Sequence, residues 1–390
     1  MGNYVFITKD AMCREYLPIY GNEIFKTPNI DELAKKGTVF YNHFTSAPST
    51  VMSFYGMATG IWAHDTEYEM YEKKEYSFTG ETIFTKLAKR GIESHILWDD
   101  MWDVLPKYVN YFDKVEIHSL KKFRQGVGAH YSHEGFLKPD EKKEKEAFGM
   151  VENAVKQILS GKDNVFLWLH CPHVIYGRVS YGSDIELFDK YVEMVRKYVT
   201  DECIAISADH GNMNGKKNKI CYGYDVYSPN ILIPLITPRI EGVEEYHANT
   251  SNVDLFDILF DKKIPSRKFV YSDSAYRAQS HRKLAIIYDK YKYIYNKQNK
   301  TEELYDLEFD SNEEFSIMED YVYDPDRKIK APSRELYFYP EWNKLPHIRK
   351  IMRSEKERIW KNGSFKVVTK SKVKDMIRPI YVTLTRKKSK

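Results

Sequence analysis

ECIAISADHG (202–211) reads as a short apolar strand running into a glycine turn, with Asp209 and His210 delivered at its carboxyl end. NVFLWLH (164–170) is a second, buried strand ending on His170, and residues 4–8 form a short β-rich run followed by Asp10. Helical patterns separate these runs. In TPNIDELAKKG (27–37), Asn29 serves as N-cap, Leu33 and Ala34 supply the apolar face and Gly37 stops the helix. Residues 81–89, 143–159 and 185–199 read as further helices, SHILW (94–98) as a strand, and ILIPLIT (231–237) and VDLFDILF (253–260) follow. Strands alternating with such helices predict an α/β fold, a doubly wound and mostly parallel sheet flanked by helices. Ligands of such sheets lie beyond the carboxyl ends of the strands. Asp10, His170 and Asp209–His210 each fall just past a strand, so one shared site is expected.

From about residue 265 the pattern changes. KLAIIYD (283–289), KYKYIYN (290–296) and ELYDLEF (303–309) are closely spaced and Tyr-rich, as in a small antiparallel sheet. A helix is expected to end at Gly363. The predicted organisation is a catalytic α/β domain over 1–265, an antiparallel α+β subdomain over 266–342 and a basic helical tail over 343–390.

With 390 residues, 42% hydrophobic and 30% charged, the chain can bury a core, which excludes wholesale disorder, collagen and a disulfide scaffold. No uncharged apolar stretch approaches membrane-spanning length. The four cysteines (Cys13, Cys171, Cys203, Cys221) contain no CxxC pair and fit a reduced compartment. The start lacks a secretory pattern, and Phe6 stands where myristoylation needs Ser or Thr, so a cytoplasmic location is expected. The net charge of +4 is uneven: residues 343–390 hold 16 Lys/Arg against 3 Asp/Glu. That tail suits peripheral contact with an anionic membrane face or polymer, and equally a solvated terminus. No nucleic-acid module is present and the aromatics do not interleave with the basic cluster, so no nucleic-acid partner is expected.

Asp209 and His210 offer one oxygen and one nitrogen ligand to a cation, with Asp10 a third ligand or a simple turn residue. Thr50 follows Ala47-Pro48-Ser49 and precedes an apolar helical stretch ending at Thr59-Gly60. Its hydroxyl is either a cap or a nucleophile at a helix N-terminus. His170 and His173 suit binding of anionic oxygens and protonation of a leaving alkoxide, and Lys216, Lys217 and Lys219 follow the glycine turn. His43, His95, His247 and His281 read as structural, with His247 or His281 the alternatives able to reach the site. Loops 98–145 and 174–184, carrying Trp98, Asp99, Asp100, Trp102, Arg124, Tyr176 and Arg178, are expected to set specificity.

In this order the motifs resemble the sulfatase branch of the alkaline phosphatase superfamily over roughly residues 3–315. VFITKDAMCREYLPIYGN resembles its first strand and metal-binding Asp, and TPNIDELAKKG its "TPN-x-D-x-L-A" helix. TSAPSTVMSFYGMATG resembles the nucleophile segment, LHCPH the strand-end histidine motif, and SADHG the metal-binding pair. YKYIYNKQNKTEELYDLEFDSNEE resembles the C-terminal subdomain. One departure matters. Sulfatases carry C/S-x-P-x-R, whose Cys or Ser becomes formylglycine, whereas this chain has Thr50, with Met52 and Phe54 at the Pro and Arg positions. Threonine is what phosphoryl-transferring relatives use, such as lipoteichoic acid synthase and phosphoethanolamine transferase.

By that resemblance one divalent ion (Mn²⁺, Mg²⁺, Zn²⁺ or Ca²⁺) is bound by Asp10, Thr50, Asp209 and His210, with Lys217 and Lys219 contacting substrate. The implied activity is a metal-dependent phosphoryl-group hydrolase or transferase of the phosphodiester or phosphomonoester class, acting through phospho-threonine. Its substrate would be a phosphate ester, on a cell-surface glycan or lipid-linked precursor. The alternatives are a sulfuric ester hydrolase and a non-catalytic descendant of the fold.

Overall fold

The computed structural model describes residues 2–65, 80–98, 112–120, 141–171, 181–219, 222–274, 282–324, 328–332 and 339–362. Among them a nine-stranded sheet forms the centre of the molecule. Its strands are β1 (Tyr4–Lys9), β2 (Thr38–Phe44), β3 (Glu93–Trp98), β4 (Glu116–Ser119), β5 (Val165–Cys171), β6 (Ile204–Ala208), β7 (Leu232–Thr237), β8 (Glu245–Tyr246) and β9 (Thr250–Ser251). They run in the order β4-β3-β5-β1-β6-β7-β2-β8, with β9 also paired to β2. The pairs from β4 to β6 are all parallel, and β7 runs antiparallel to both β6 and β2.

Alternation along the central strands explains why they are apolar throughout. Val5 and Ile7 face one core cluster, with Leu167, Leu169 and Ile206; Tyr4 and Phe6 face another, with Phe166 and Trp168. A parallel strand covered on both faces has no solvent side to leave polar. The first face is covered by helices α1 (Pro28–Lys36), α4 (Glu141–Leu159) and α5 (Tyr181–Val195). The second is covered by α2 (Thr50–Thr59), α3 (Ile83–Lys89) and the helix Leu255–Phe260. The run 253–260 is therefore helical from Leu255 onward. At the end of α1, a Cβ on Gly37 would stand 2.2 Å from the Thr237 carbonyl oxygen, so glycine lets the turn press against β7.

Two local expectations are corrected. Asn29 does not cap α1, because the helix begins at Pro28 with Thr27 in the N-cap position, and neither supplies the cap bond. Asp189 of α5 does so instead, accepting from the backbone N–H groups of Ile30 (2.9 Å) and Asn29 (3.3 Å). His170 lies within β5 and not beyond it, paired in register with Thr8.

The second sheet is antiparallel, in the order β10 (Val270–Asp273), β11 (Lys283–Tyr288), β12 (Tyr291–Asn296), β13 (Thr301–Asp306). Its Tyr-rich sequence is explained by burial, since Tyr271, Tyr291, Tyr293 and Tyr305 all join its core. A two-stranded ribbon, β14 (Tyr321–Asp324) and β15 (Ile329–Pro332), follows. The closing helix, Leu345–Asn362, buries Leu345, Ile348, Met352 and Ile359 in that same core. Arg349, Arg353 and Lys356 pair with Asp320 and Glu302, so this part of the basic tail is docked. Residues 363–390 lie outside the described residues. No helix among the described residues is long and apolar enough to cross a membrane.

Candidate active site

β1 lies between β5 and β6, where the strand order reverses, and a crevice opens at such a switch point. Lys9 pairs with Cys171 on one side and Ala208 on the other, so Asp10 and Asp209 leave the sheet side by side. Asp10, Asp209 and His210 are all buried, with one ligand atom of each within 4.8 Å of the others. His210 Nε2 stands 3.7 Å from Asp10 Oδ1 and 3.5 Å from Asp209 Oδ2.

Hydrogen bonding sets the chemistry of each donor. Asp209 Oδ1 accepts from the backbone N–H of Ala11 (3.0 Å) and of His210 (2.7 Å). Its Oδ2 is buried with no hydrogen-bond donor among the described residues. Burial raises the Asp209 carboxyl to about 6; His210 opposes the shift and Asp10 adds to it. The His210 ring donates from Nδ1 to the Gly211 carbonyl (2.8 Å), which leaves Nε2 with its lone pair toward the aspartates. Two buried carboxylates beside an imidazole nitrogen form an O,O,N donor set suited to a divalent cation.

Thr50 meets this cluster from α2. Its hydroxyl donates to His210 Nε2 at 3.1 Å, from the first residue of the helix. Ser49, in the N-cap position, makes no side-chain cap bond, so first-turn N–H groups remain available to an anion. A buried polar network fastens the helix. Ser53 Oγ donates to the Asp209 carbonyl (2.5 Å) and accepts from Asn252 Nδ2 (2.9 Å), while Asn252 Oδ1 accepts from the Ser46 N–H (2.9 Å). Thr50 and the Asp209–His210 turn are thus held to one frame.

His170 is buried on the same face. Its ring stacks on Trp98 at 4.5 Å and meets the edge of Phe54 at 4.8 Å. Phe54 in turn lies flat on Trp168 at 4.4 Å, a contact worth ~0.5–1.5 kcal/mol beyond burial. Trp168 Nε1–H donates to Thr8 Oγ1 (2.8 Å), and Thr8 Oγ1 lies 2.8 Å from His170 Nδ1. Indole can only donate, so Thr8 Oγ1 accepts from Trp168, and pointing its O–H at Nδ1 is the arrangement in which His170 carries its proton on Nε2.

The remaining expected residues fall as follows. His173 lies outside the described residues, as do Asp99, Asp100, Trp102, Arg124, Tyr176 and Arg178. Lys217 donates to the Glu313 carbonyl and sits over the rings of Tyr227 and Tyr305. Lys219 pairs with Asp225 at 2.7 Å. Both ammonium groups thus engage the junction with the second sheet. Sequence reading missed Thr8, Trp168, Ser53 and Asn252, because a buried Thr or Asn in an apolar run carries no signal until its partner is known.

The family model "Sulfatase" matches residues 2–171. The ulvan-active sulfatase of Formosa agariphila is 28% identical over 242 residues, 55% of this chain and 45% of that protein. A 2-O GAG sulfatase shares the fold with a TM-score of 0.65 at 15% identity, covering 92% of each chain. The phosphonate monoester hydrolase of Agrobacterium radiobacter gives 0.63 at 14%, covering 93% of this chain and 96% of the other. The chain spans less than half the length of the curated relatives it matches. The matched model spans less than half of this chain, and the solved structures, at 14–15% identity, show a shared fold.

Proposed function

We propose that this chain, which is similar to sulfatases, is an ester hydrolase in which Thr50 attacks an anionic phosphoryl-type ester and carries it as phospho-threonine. One observation carries the reading: Thr50 Oγ1, at the start of α2, lies 3.1 Å from His210 Nε2 beside Asp10 and Asp209. Asp10, Asp209 and His210, with Thr50 as fourth ligand, are the residues to hold a divalent cation. Such an ion would lower the pKa of the Thr50 hydroxyl and neutralise charge on the ester oxygens.

The chain's own groups do the rest. The first-turn N–H groups of α2 face the anionic group and its developing charge. Thr50 oxygen, its proton given up to solvent water, forms the bond to phosphorus as the bond to the leaving oxygen breaks. His170, with its proton on Nε2, donates to that oxygen, and His173 is the second candidate for the role. Water, or an acceptor alcohol in a transferase, then releases Thr50. Lys217 and Lys219 are proposed to contact the remainder of the substrate. Sulfated glycans are acted on by proteins of this fold, and a glycan or lipid-linked ester is the proposed substrate class here.

A sulfate ester is the second reading, favoured by the matched family and by the Formosa relative. Against it stands the side chain: threonine carries one hydroxyl on a secondary carbon and cannot form the aldehyde hydrate of formylglycine. The test compares the wild type with Thr50→Ala and Thr50→Ser on nitrophenyl phosphate, phosphodiester, phosphonate and sulfate, after chelation and resupply of Mn²⁺, Mg²⁺, Zn²⁺ or Ca²⁺. Phosphoryl ester cleavage should fall on the order of 10³-fold or more in Thr50→Ala and persist in Thr50→Ser. Preference for sulfate would establish the second reading, and turnover unchanged in Thr50→Ala would remove Thr50 as nucleophile.

A further inference from the structure

His95 on β3 and Glu116 and His118 on the edge strand β4 meet at a second cluster, away from the site above. In register, His95 pairs with Glu116 and Leu97 with His118. By alternation His95 shares the face of Leu97, the side covered by α4, whereas Asp10 shares the face of Phe6 on the α2 side. Three strand spacings, about 14 Å, separate β4 from β1.

Three ligand atoms converge there. His95 Nδ1 and His118 Nε2 are 2.9 Å apart, and Glu116 oxygens lie 3.6 Å from the first and 3.7 Å from the second. With metal–ligand bonds of about 2.0–2.2 Å, tetrahedral ligands stand roughly 3.3–3.5 Å from each other. The observed separations bracket that spacing, with Glu116 Oε2 facing His95 and Oε1 facing His118, and one ligand atom of each residue lies within 4.8 Å of the others. The tautomer also fits. His95 Nε2 lies 2.8 Å from the Glu93 carboxylate, which can only accept, so the proton sits on Nε2 and Nδ1 presents its lone pair inward. The same Glu93 oxygen accepts from Lys162 Nζ at 2.9 Å. A carboxylate gripping the outer N–H of an imidazole is the outer-shell support that metal-binding histidines use.

We propose that His95, Glu116 and His118 form a binding site for a Zn²⁺-class transition-metal ion, with Glu93 as its outer-shell partner and a fourth position open to water. Two imidazoles and one carboxylate select such an ion over Mg²⁺ or Ca²⁺. Its role is structural: the ion ties edge strand β4 to β3.

The test uses tag-free full-length protein, stripped by chelator and titrated with Zn²⁺ by calorimetry, with Co²⁺ absorption reporting tetrahedral nitrogen–oxygen ligation. Wild type should bind one equivalent more than His118→Ala and than Glu116→Gln; Glu116 is exposed, which makes the second variant safe for folding. Glu93→Gln should weaken that equivalent about 10–100-fold. The same equivalent should persist in Thr50→Ala, which separates this site from the proposed catalytic one. Equal stoichiometry in wild type, His118→Ala and Glu116→Gln, each folded by circular dichroism, would overturn the proposal.

Discussion

Thr8 is the residue whose chemistry is easiest to overlook. It sits in the middle of an apolar strand, and only its neighbours reveal a relay from Trp168 through its hydroxyl to His170. Thr8→Val keeps the shape and removes the donor. It should lower kcat tenfold or more, by roughly the lower end of a general acid's contribution, with little change in KM. The limb of the kcat–pH profile assigned to His170 should move, and Thr8→Ser should restore both. An unchanged profile would show that the relay does not govern the imidazole. Asp10, Thr50, Asp209 and His210 stood out as candidates in the sequence because each follows a strand or begins a helix; the resemblance to the sulfatase branch joined them into one set. Thr8 did not stand out, because its partners are 160 and 162 residues away.

At the scale of the element, periodicity located most strands and helices, while their ends answered to distant partners. The first helix is the clearest case. Its N-terminal N–H groups are satisfied by Asp189 from another helix, and Arg196 holds Asn29 Oδ1 at 3.0 Å. Asp189→Ala should cost about 1–2 kcal/mol in urea unfolding, like loss of an N-cap, while ester turnover is unaffected. Asn29→Ala should cost less if the cap is assigned correctly. The short edge strand β4 and the two-residue strands β8 and β9 escaped sequence reading, since runs that brief have no period to detect.

For the whole molecule, two measurements test how its parts combine. His43 is fully buried in β2 against Thr250, and burial alone pushes its imidazole down to about 3. The unfolded chain, with the ordinary value near 6.5, therefore binds the extra proton between these limits. Stability from this group is complete above about 6.5 and is lost as pH falls, by ~1.4 kcal/mol per unit. Unfolding titrations should show about 2 kcal/mol lost between pH 6.5 and 5, and His43→Gln should flatten that slope. The second concerns the basic tail. Because Met352 and Ile359 are buried, removal of residues 343–390 should unfold the second sheet, whereas truncation after Asn362 should leave fold and turnover intact. If the remaining segment, with 9 Lys/Arg against 1 Asp/Glu, carries the proposed contact with an anionic membrane face, that truncation should abolish binding to phosphatidylserine vesicles. By itself the sequence determined the α/β class, the Tyr-rich second sheet and which polar residues stand at strand ends, because hydrophobic period and chain reversal are local properties. Only the tertiary structure decided that β5, β1 and β6 lie adjacent, that Asp189 caps a helix it does not belong to, and that two histidines and a glutamate meet across β3 and β4. Each of these depends on the strand order of the sheet, which is set by packing of the whole core and leaves no trace in any single window of sequence.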